Sequence, residues 1–324
     1  MPDTVGREPE NEKARQGVKL RPLFFLTLAA ACILPLLLYR TVDAAAPGPL
    51  AAVRPLSPWL QWATVVTAFG VKPFYMILSL LIALWLRRLR AADLAALKWA
   101  MVFFFAGELF CAVNYLFFAE GSSLAEYLHM FGMAIAFGFT VLAVAEFADE
   151  RVIHFSAPGK SCSLLAACGK CYKNADIACS LRVIFTIIAP CLIFFCAMPL
   201  LVETRFALQR VVILGTPYTY SHPLIYQLFE IRYAPAVAAL FFSAALLELL
   251  LRRERSFQLA KFFFSGGAGF LAFGMFRLIL LSLYRDNLAW FVIWEELTEL
   301  LYVVTAGLFL LVFRKKPLLE GPHP

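Results

Sequence analysis

The chain has 324 residues, 62% of them hydrophobic and 16% charged, with a mean hydropathy of +0.77. A soluble domain carries roughly 25% charged residues, so this composition excludes a water-soluble globule of this size and makes lipid the main solvent. The net charge of +7 does not point to nucleic acid. The basic residues stand in short clusters between apolar runs, as they do where helix ends meet an anionic leaflet, and no aromatic-basic nucleic-acid motif accompanies them.

A spanning helix needs about 20 mostly apolar residues. Residues 1–21 are polar and basic and read as a disordered cytoplasmic tail. Eight apolar runs follow, at 22–39, 59–86, 99–118, 125–147, 183–202, 233–251, 262–284 and 288–313. The fold class is therefore an all-α integral membrane protein, a single polytopic bundle of about eight transmembrane helices over 22–313, closed by a tail at 314–324. The first run, followed by Ala44-Ala45-Ala46, is similar to a signal peptide; the expectation is an uncleaved helix, and cleavage would leave seven helices with the same remaining topology. With the N-terminus inside, 21 of the 29 Lys and Arg residues fall on the inner side. That bias places both termini in the cytoplasm and the chain in a bacterial-type inner membrane.

Two loops stand out between the runs. The outer loop, 203–232, holds Tyr218, Tyr220, Tyr226 and Phe229 and suits the membrane surface, which Tyr favours. The inner loop, 148–182, holds Cys162, Cys168, Cys171 and Cys179 in a C-x5-C-x2-C-x7-C spacing. Thiolates are soft ligands, and four of them suit zinc or an iron–sulfur cluster. Two cysteines separated by two residues grip one metal from a turn, and Gly169 permits the bend. Lys160, Lys170 and Lys173 offset the thiolate charge. Structural disulfides do not persist in a reducing cytosol. The C-x5-C-x2-C part is similar to the ligand spacing of some ferredoxins, whose fourth cysteine lies much farther along the chain. The bland alternative is a set of reduced cysteines on an amphipathic helix. Cys32, Cys111, Cys191 and Cys196 fall in apolar runs and read as small core residues.

Ionisable groups within spans cost at least ~2.5–3.5 kcal/mol on insertion scales, so they need partners and mark candidate sites. The third span carries Glu108, Cys111, Asn114 and Tyr115; the fourth opens with Glu126 and His129; the seventh holds Arg277; the eighth holds Glu295, Glu296 and Glu299. Glu108, Asn114, His129, Arg277, Glu295 and Glu299 all fall between the outer surface and the bilayer centre, so they can form one polar cluster if their helices are neighbours. Lys72 and Glu248 are further candidates. Such a cluster can bind a metal, relay protons or hold a membrane-soluble small molecule; the opposing expectation is that Arg277 simply pairs with one glutamate. The Glu295-Glu296 pair is similar to the paired glutamates of some intramembrane proteases, but the histidine motifs found there are absent from this sequence.

In the seventh span Ser265, Ala268, Gly269 and Ala272 form a small-residue face, suited to close packing with another helix or a second copy. Three functions follow from these features. The first is a membrane redox or electron-transfer component with a cytoplasmic cysteine-ligated site. The second is a transporter or ligand-binding membrane protein with a zinc-stapled loop. The third is a membrane-embedded enzyme using the intramembrane glutamates and histidine.

Overall fold

The computed structural model describes residues 22–43, 54–89, 91–118, 122–154, 162–163, 180–201, 209–220, 222–251, 257–284 and 287–314. Each of the eight apolar runs is helical. The helices are α1 (Pro22–Asp43), α2 (Pro58–Leu86), α3 (Ala92–Phe118), α4 (Ser123–Phe147, prolonged by a π-helical turn Ala148–Ile153), α5 (Ser180–Leu201), α6 (His222–Leu251), α7 (Phe257–Tyr284) and α8 (Leu288–Arg314). By length and composition, α2 to α7 can each cross a membrane. In α1 the apolar stretch Pro22–Leu38 is shorter, and α8 carries three glutamates in its first half.

The surface of the bundle is apolar. Phe74, Ile77, Leu81, Phe194, Ile279 and Leu308 all face outward. A water-soluble protein rarely tolerates an exposed apolar area this continuous, whereas a bilayer solvates it. On α2 the exposed Trp62 and Trp85 sit 23 residues apart. At ~1.5 Å per residue that is ~35 Å, close to a bilayer's hydrocarbon thickness, and it puts an indole near each interface.

Glycines set the helix spacing. A Cβ built on Gly132 of α4 would lie 2.6 Å from the Gly107 Cα of α3, and one on Gly269 of α7 would lie 2.2 Å from the Gly138 nitrogen of α4. No side chain fits at either contact, so α3, α4 and α7 touch backbone to backbone. The small-residue face of α7 is therefore used within the chain at Ser265 and Gly269, which are buried, while Ala268 is half-buried and Ala272 faces outward.

One end of the bundle carries a feature that the all-α reading missed. Gln209–Ile213 (β2) and Thr216–Tyr220 (β3) pair antiparallel, and Arg54–Pro55 (β1) joins β2 in parallel, giving order β1-β2-β3. The β-branched run Val211-Val212-Ile213 favours the strand. Leu214 and Gly215 turn with φ of 49° and 83°, the double-positive geometry that matches strand twist in a two-residue hairpin. The Leu214 amide donates to Gln61 Oε1 (2.8 Å), which ties the turn to α2. Within 203–232 the described residues are thus not all loop: Gln209–Tyr220 forms a hairpin, and α6 starts at His222, eleven residues before the expected boundary.

The opposite end is held by ion pairs. Arg151 meets Asp93 (2.8 Å), and Lys261 meets Glu146 (2.8 Å) and Asp149 (2.9 Å), which joins α3, α4 and α7. The tail 1–21, Cys168, Cys171, Cys179 and the tail 315–324 lie outside the described residues. Cys162 is described as a half-buried free thiol.

Candidate functional site

At the sheet end of the bundle, six helices direct ionisable side chains to one place. In α2 the cause is Pro73. It has no N–H to give the carbonyl one turn back, and the helix widens into a π turn over Thr67–Val71 just before it. Lys72 and Tyr75 then follow on the inward side. Lys72 Nζ lies 2.5 Å from Glu108 Oε2 of α3 and 3.2 Å from Glu296 Oε1 of α8.

Tyr75 is the centre of the cluster. Its hydroxyl oxygen is 2.5 Å from Glu296 Oε2, 2.5 Å from Glu299 Oε2 and 3.0 Å from Glu108 Oε2, and all four residues are buried. One hydroxyl has one hydrogen and can donate to one carboxylate at a time. Oxygens of Glu108, Glu296 and Glu299 also lie within 4.8 Å of one another, a spacing at which three carboxylates can ligate a cation. Lys72 brings positive charge to that same group of oxygens.

A second node is Arg277 of α7. It pairs through Nε with Glu230 Oε2 of α6 (2.8 Å), through Nη1 with Glu295, and stands 4.0 Å from Glu299 Oε1. Its Nη2 donates to His129 Nε2 (3.3 Å). Because a guanidinium only donates, Nε2 accepts, and Nδ1 carries the hydrogen that it donates to the Gly107 carbonyl (3.0 Å). His129 thus links α3 to α7, with Glu108 and Glu230 beside its ring at 3.6 and 3.8 Å. The glycine contact of α3 with α4 lets it reach that carbonyl.

Helix α8 connects the nodes. Glu296 and Glu299, three apart, share Tyr75; Glu295 and Glu299, four apart, share Arg277. Lys72, His129, Glu230, Arg277, Glu295, Glu296 and Glu299 form the floor of a cavity of about 610 Å³, and Tyr75 and Glu108 lie behind it. Its walls are mainly apolar, with Val65, Met76 and Val292 from the helices and Val211, Ile213 and Tyr218 from the sheet, which roofs it. Among the described residues six carboxylates (Glu108, Glu126, Glu230, Glu295, Glu296 and Glu299) surround or underlie this floor against two fixed cations, Lys72 and Arg277.

Five of the six residues singled out from the sequence, Glu108, His129, Arg277, Glu295 and Glu299, are brought together here, and so is Lys72. Asn114 stands one step aside. It accepts from the Ser122 amide (2.9 Å) and donates to Glu126 Oε1 (2.5 Å), so it fixes the α3–α4 turn and orients Glu126 at the cavity wall. Glu248 is buried toward the other end of α6 and does not line the cavity. The sequence reading missed Tyr75 and Glu230 and gave Glu296 no separate part. For Glu230 a signal existed: the residues before 233 hold Leu224, Ile225, Leu228, Phe229 and Ile231, an apolar pattern that continues the helix back through it.

Comparison of the chain with protein-family models, with curated proteins and with solved structures finds no match.

Proposed function

We propose that this chain is a polytopic enzyme of a bacterial-type cytoplasmic membrane, with the sheet end outside and both termini inside. Its cavity performs acid–base chemistry on a membrane-soluble substrate. The observation that carries the reading is the Tyr75 hydroxyl held against three buried carboxylates at 2.5, 2.5 and 3.0 Å. Carboxylates this close in a water-poor site do not all ionise together, which separates them into a proton donor and a proton acceptor.

The reaction class that fits is hydrolysis. One of Glu296 and Glu299 takes a proton from water, whose oxygen bonds to the electrophilic atom of the substrate. The other gives its proton to the departing group as the scissile bond breaks. Tyr75 passes hydrogen-bond character between them. Lys72 and Arg277 hold the negative charge of the site constant through the step. Glu108 and Glu230 anchor those two cations, and His129 positions Arg277.

The test is turnover of long-chain esters, amides and phosphoesters by the protein in lipid nanodiscs. Cleavage of one of these classes is expected, with Glu296→Gln and Glu299→Gln each lowering the rate about 100-fold or more without loss of folded protein. Wild-type turnover by Glu299→Gln would remove the glutamate pair from the chemistry.

A second reading is a proton-coupled carrier. It is favoured by the placement of the cavity at one end while the other end is closed by the Lys261 and Arg151 ion pairs. Uptake of an intact amphiphile into proteoliposomes, without cleavage, separates it from the enzyme. The electron-transfer reading with an iron–sulfur or zinc site rests on Cys162, Cys168, Cys171 and Cys179, three of which lie outside the described residues. Metal and sulfide content of the purified protein tests it.

A further inference from the structure

The wall of the cavity is not uniform. The π turn of α2 changes the neighbours of that helix. Its second part, Lys72–Leu86, packs against both α3 and α8, whereas its first part, Pro58–Val71, packs chiefly against α8. The two helices therefore part toward the sheet end. In that gap the cavity is lined by Phe69 and Pro73 of α2 and by Ala112, Tyr115 and Leu116 of α3.

These residues belong to two surfaces at once. Phe69 is 58% exposed, Leu116 68% and Tyr115 40%, on the apolar outside of the bundle, yet each also lines the cavity. The Phe69 and Tyr115 rings meet edge to face across the gap, with centroids 6.0 Å apart. The sheet covers the cavity from the end of the bundle, so the side facing the lipid is closed by side chains alone.

The charge inside the gap has one sign in excess. Lys72 and Arg277 are already engaged by Glu108, Glu230, Glu295, Glu296 and Glu299. Glu126 remains at the wall, and its hydrogen-bond partner among the described residues is the uncharged Asn114 amide. A ligand entering past Phe69 and Tyr115 meets apolar side chains first and a carboxylate next.

We propose that the gap between α2 and α3 is a lateral portal from the bilayer, gated by Phe69 and Tyr115, and that it admits an amphiphile with one long apolar chain and a cationic, amine-type head that pairs with Glu126. The assignment rests on the reading of the cavity as the substrate site and adds the substrate class. Binding alone tests it, so its failure is separable from failure of the hydrolytic step.

The probe is hexadecylamine carrying a photoreactive diazirine in its chain, compared with the matching hexadecanol and hexadecanoate, on the full chain in nanodiscs. Labelling of the peptides around Phe69 and Leu116 is normalised to that of Phe194–Leu201 in α5, which faces outward away from the cavity. The amine is expected to label the portal about tenfold more than the alcohol or the acid, and Glu126→Gln is expected to erase that preference. Ala112→Trp, which fills the gap, is expected to reduce portal labelling to the α5 background. Phe69→Ala is expected to speed its onset. Equal labelling by all three probes in the wild type overturns the cationic head group. Undiminished labelling in Ala112→Trp, together with an unchanged rate in Phe69→Ala, overturns the portal whether or not the protein hydrolyses anything.

Discussion

The two ends of the bundle both bury charge, and they do so in opposite ways. At the far end Arg151 meets Asp93 and Lys261 meets Glu146 and Asp149, each at 2.8–2.9 Å, and the described cavity does not reach them. That is how charges hold helices together: Arg151 and Lys261 each have a carboxylate partner. At the sheet end two cations face six carboxylates around an open volume of about 610 Å³. A protein that needed only to staple α2, α3, α7 and α8 would not place three carboxylates around one tyrosine hydroxyl. Surplus charge in a low-dielectric site has to be balanced by protons or by a ligand, and both are means to function rather than stability.

The comparison can be tested by removing one charge at a time. The largest effect is expected from Arg277→Met, which strips the partner from buried Glu230 and half-buried Glu295 together. Breaking a buried pair from one side costs about 3–5 kcal/mol. Thermal unfolding in detergent should show a severely destabilised protein, and any activity should fall with it. Lys261→Met at the far end should cost about 3 kcal/mol by the same logic. There, however, portal labelling and turnover of the remaining folded protein should match the wild type. Loss of labelling in Lys261→Met would mean that the two ends are coupled and that the far end is more than a staple. A smaller effect, about 1 kcal/mol, is expected from Gln61→Ala, which removes the hydrogen bond holding the Leu214–Gly215 turn to α2. Faster hydrogen exchange in Gln209–Tyr220, with the helices unaffected, would confirm that the sheet is a separable cover.

Much of this was legible in the sequence, for a clear reason. An apolar run of 20 residues has few alternatives to a helix, so all eight helices could be placed. A charge inside such a run is costly enough to announce itself, which is why Glu108, His129, Arg277, Glu295, Glu299 and Lys72 could be named before their helices were known to touch. What stayed hidden carried no such penalty. Tyr75 sits in an apolar helix without charge, and nothing in its neighbours marks it as the hub of three carboxylates. Glu230 precedes the apolar core of its span and so read as loop. Glu296 was not among the residues placed in the cluster; its three-residue spacing from Glu299 brings both to Tyr75. The hairpin was masked by brevity: two five-residue strands around Leu214–Gly215 lie in a segment whose polar flanks resemble a loop. The close approach of α3, α4 and α7 depends on backbone contact at Gly107, Gly132, Gly138 and Gly269, and the partner of a glycine cannot be read from one chain position.

The most direct test of the central claim, that the sheet-end carboxylates are surplus to stability, is the thermal unfolding temperature of Glu299→Gln beside that of the wild type in the same detergent. Glutamine keeps the shape and the hydrogen bond to Tyr75 while removing one of three crowded carboxylates. An unchanged or raised unfolding temperature is expected. A fall of several degrees, comparable to that of Lys261→Met, would make Glu299 a structural partner of Arg277 and Lys72 and contradict the functional assignment of this cluster.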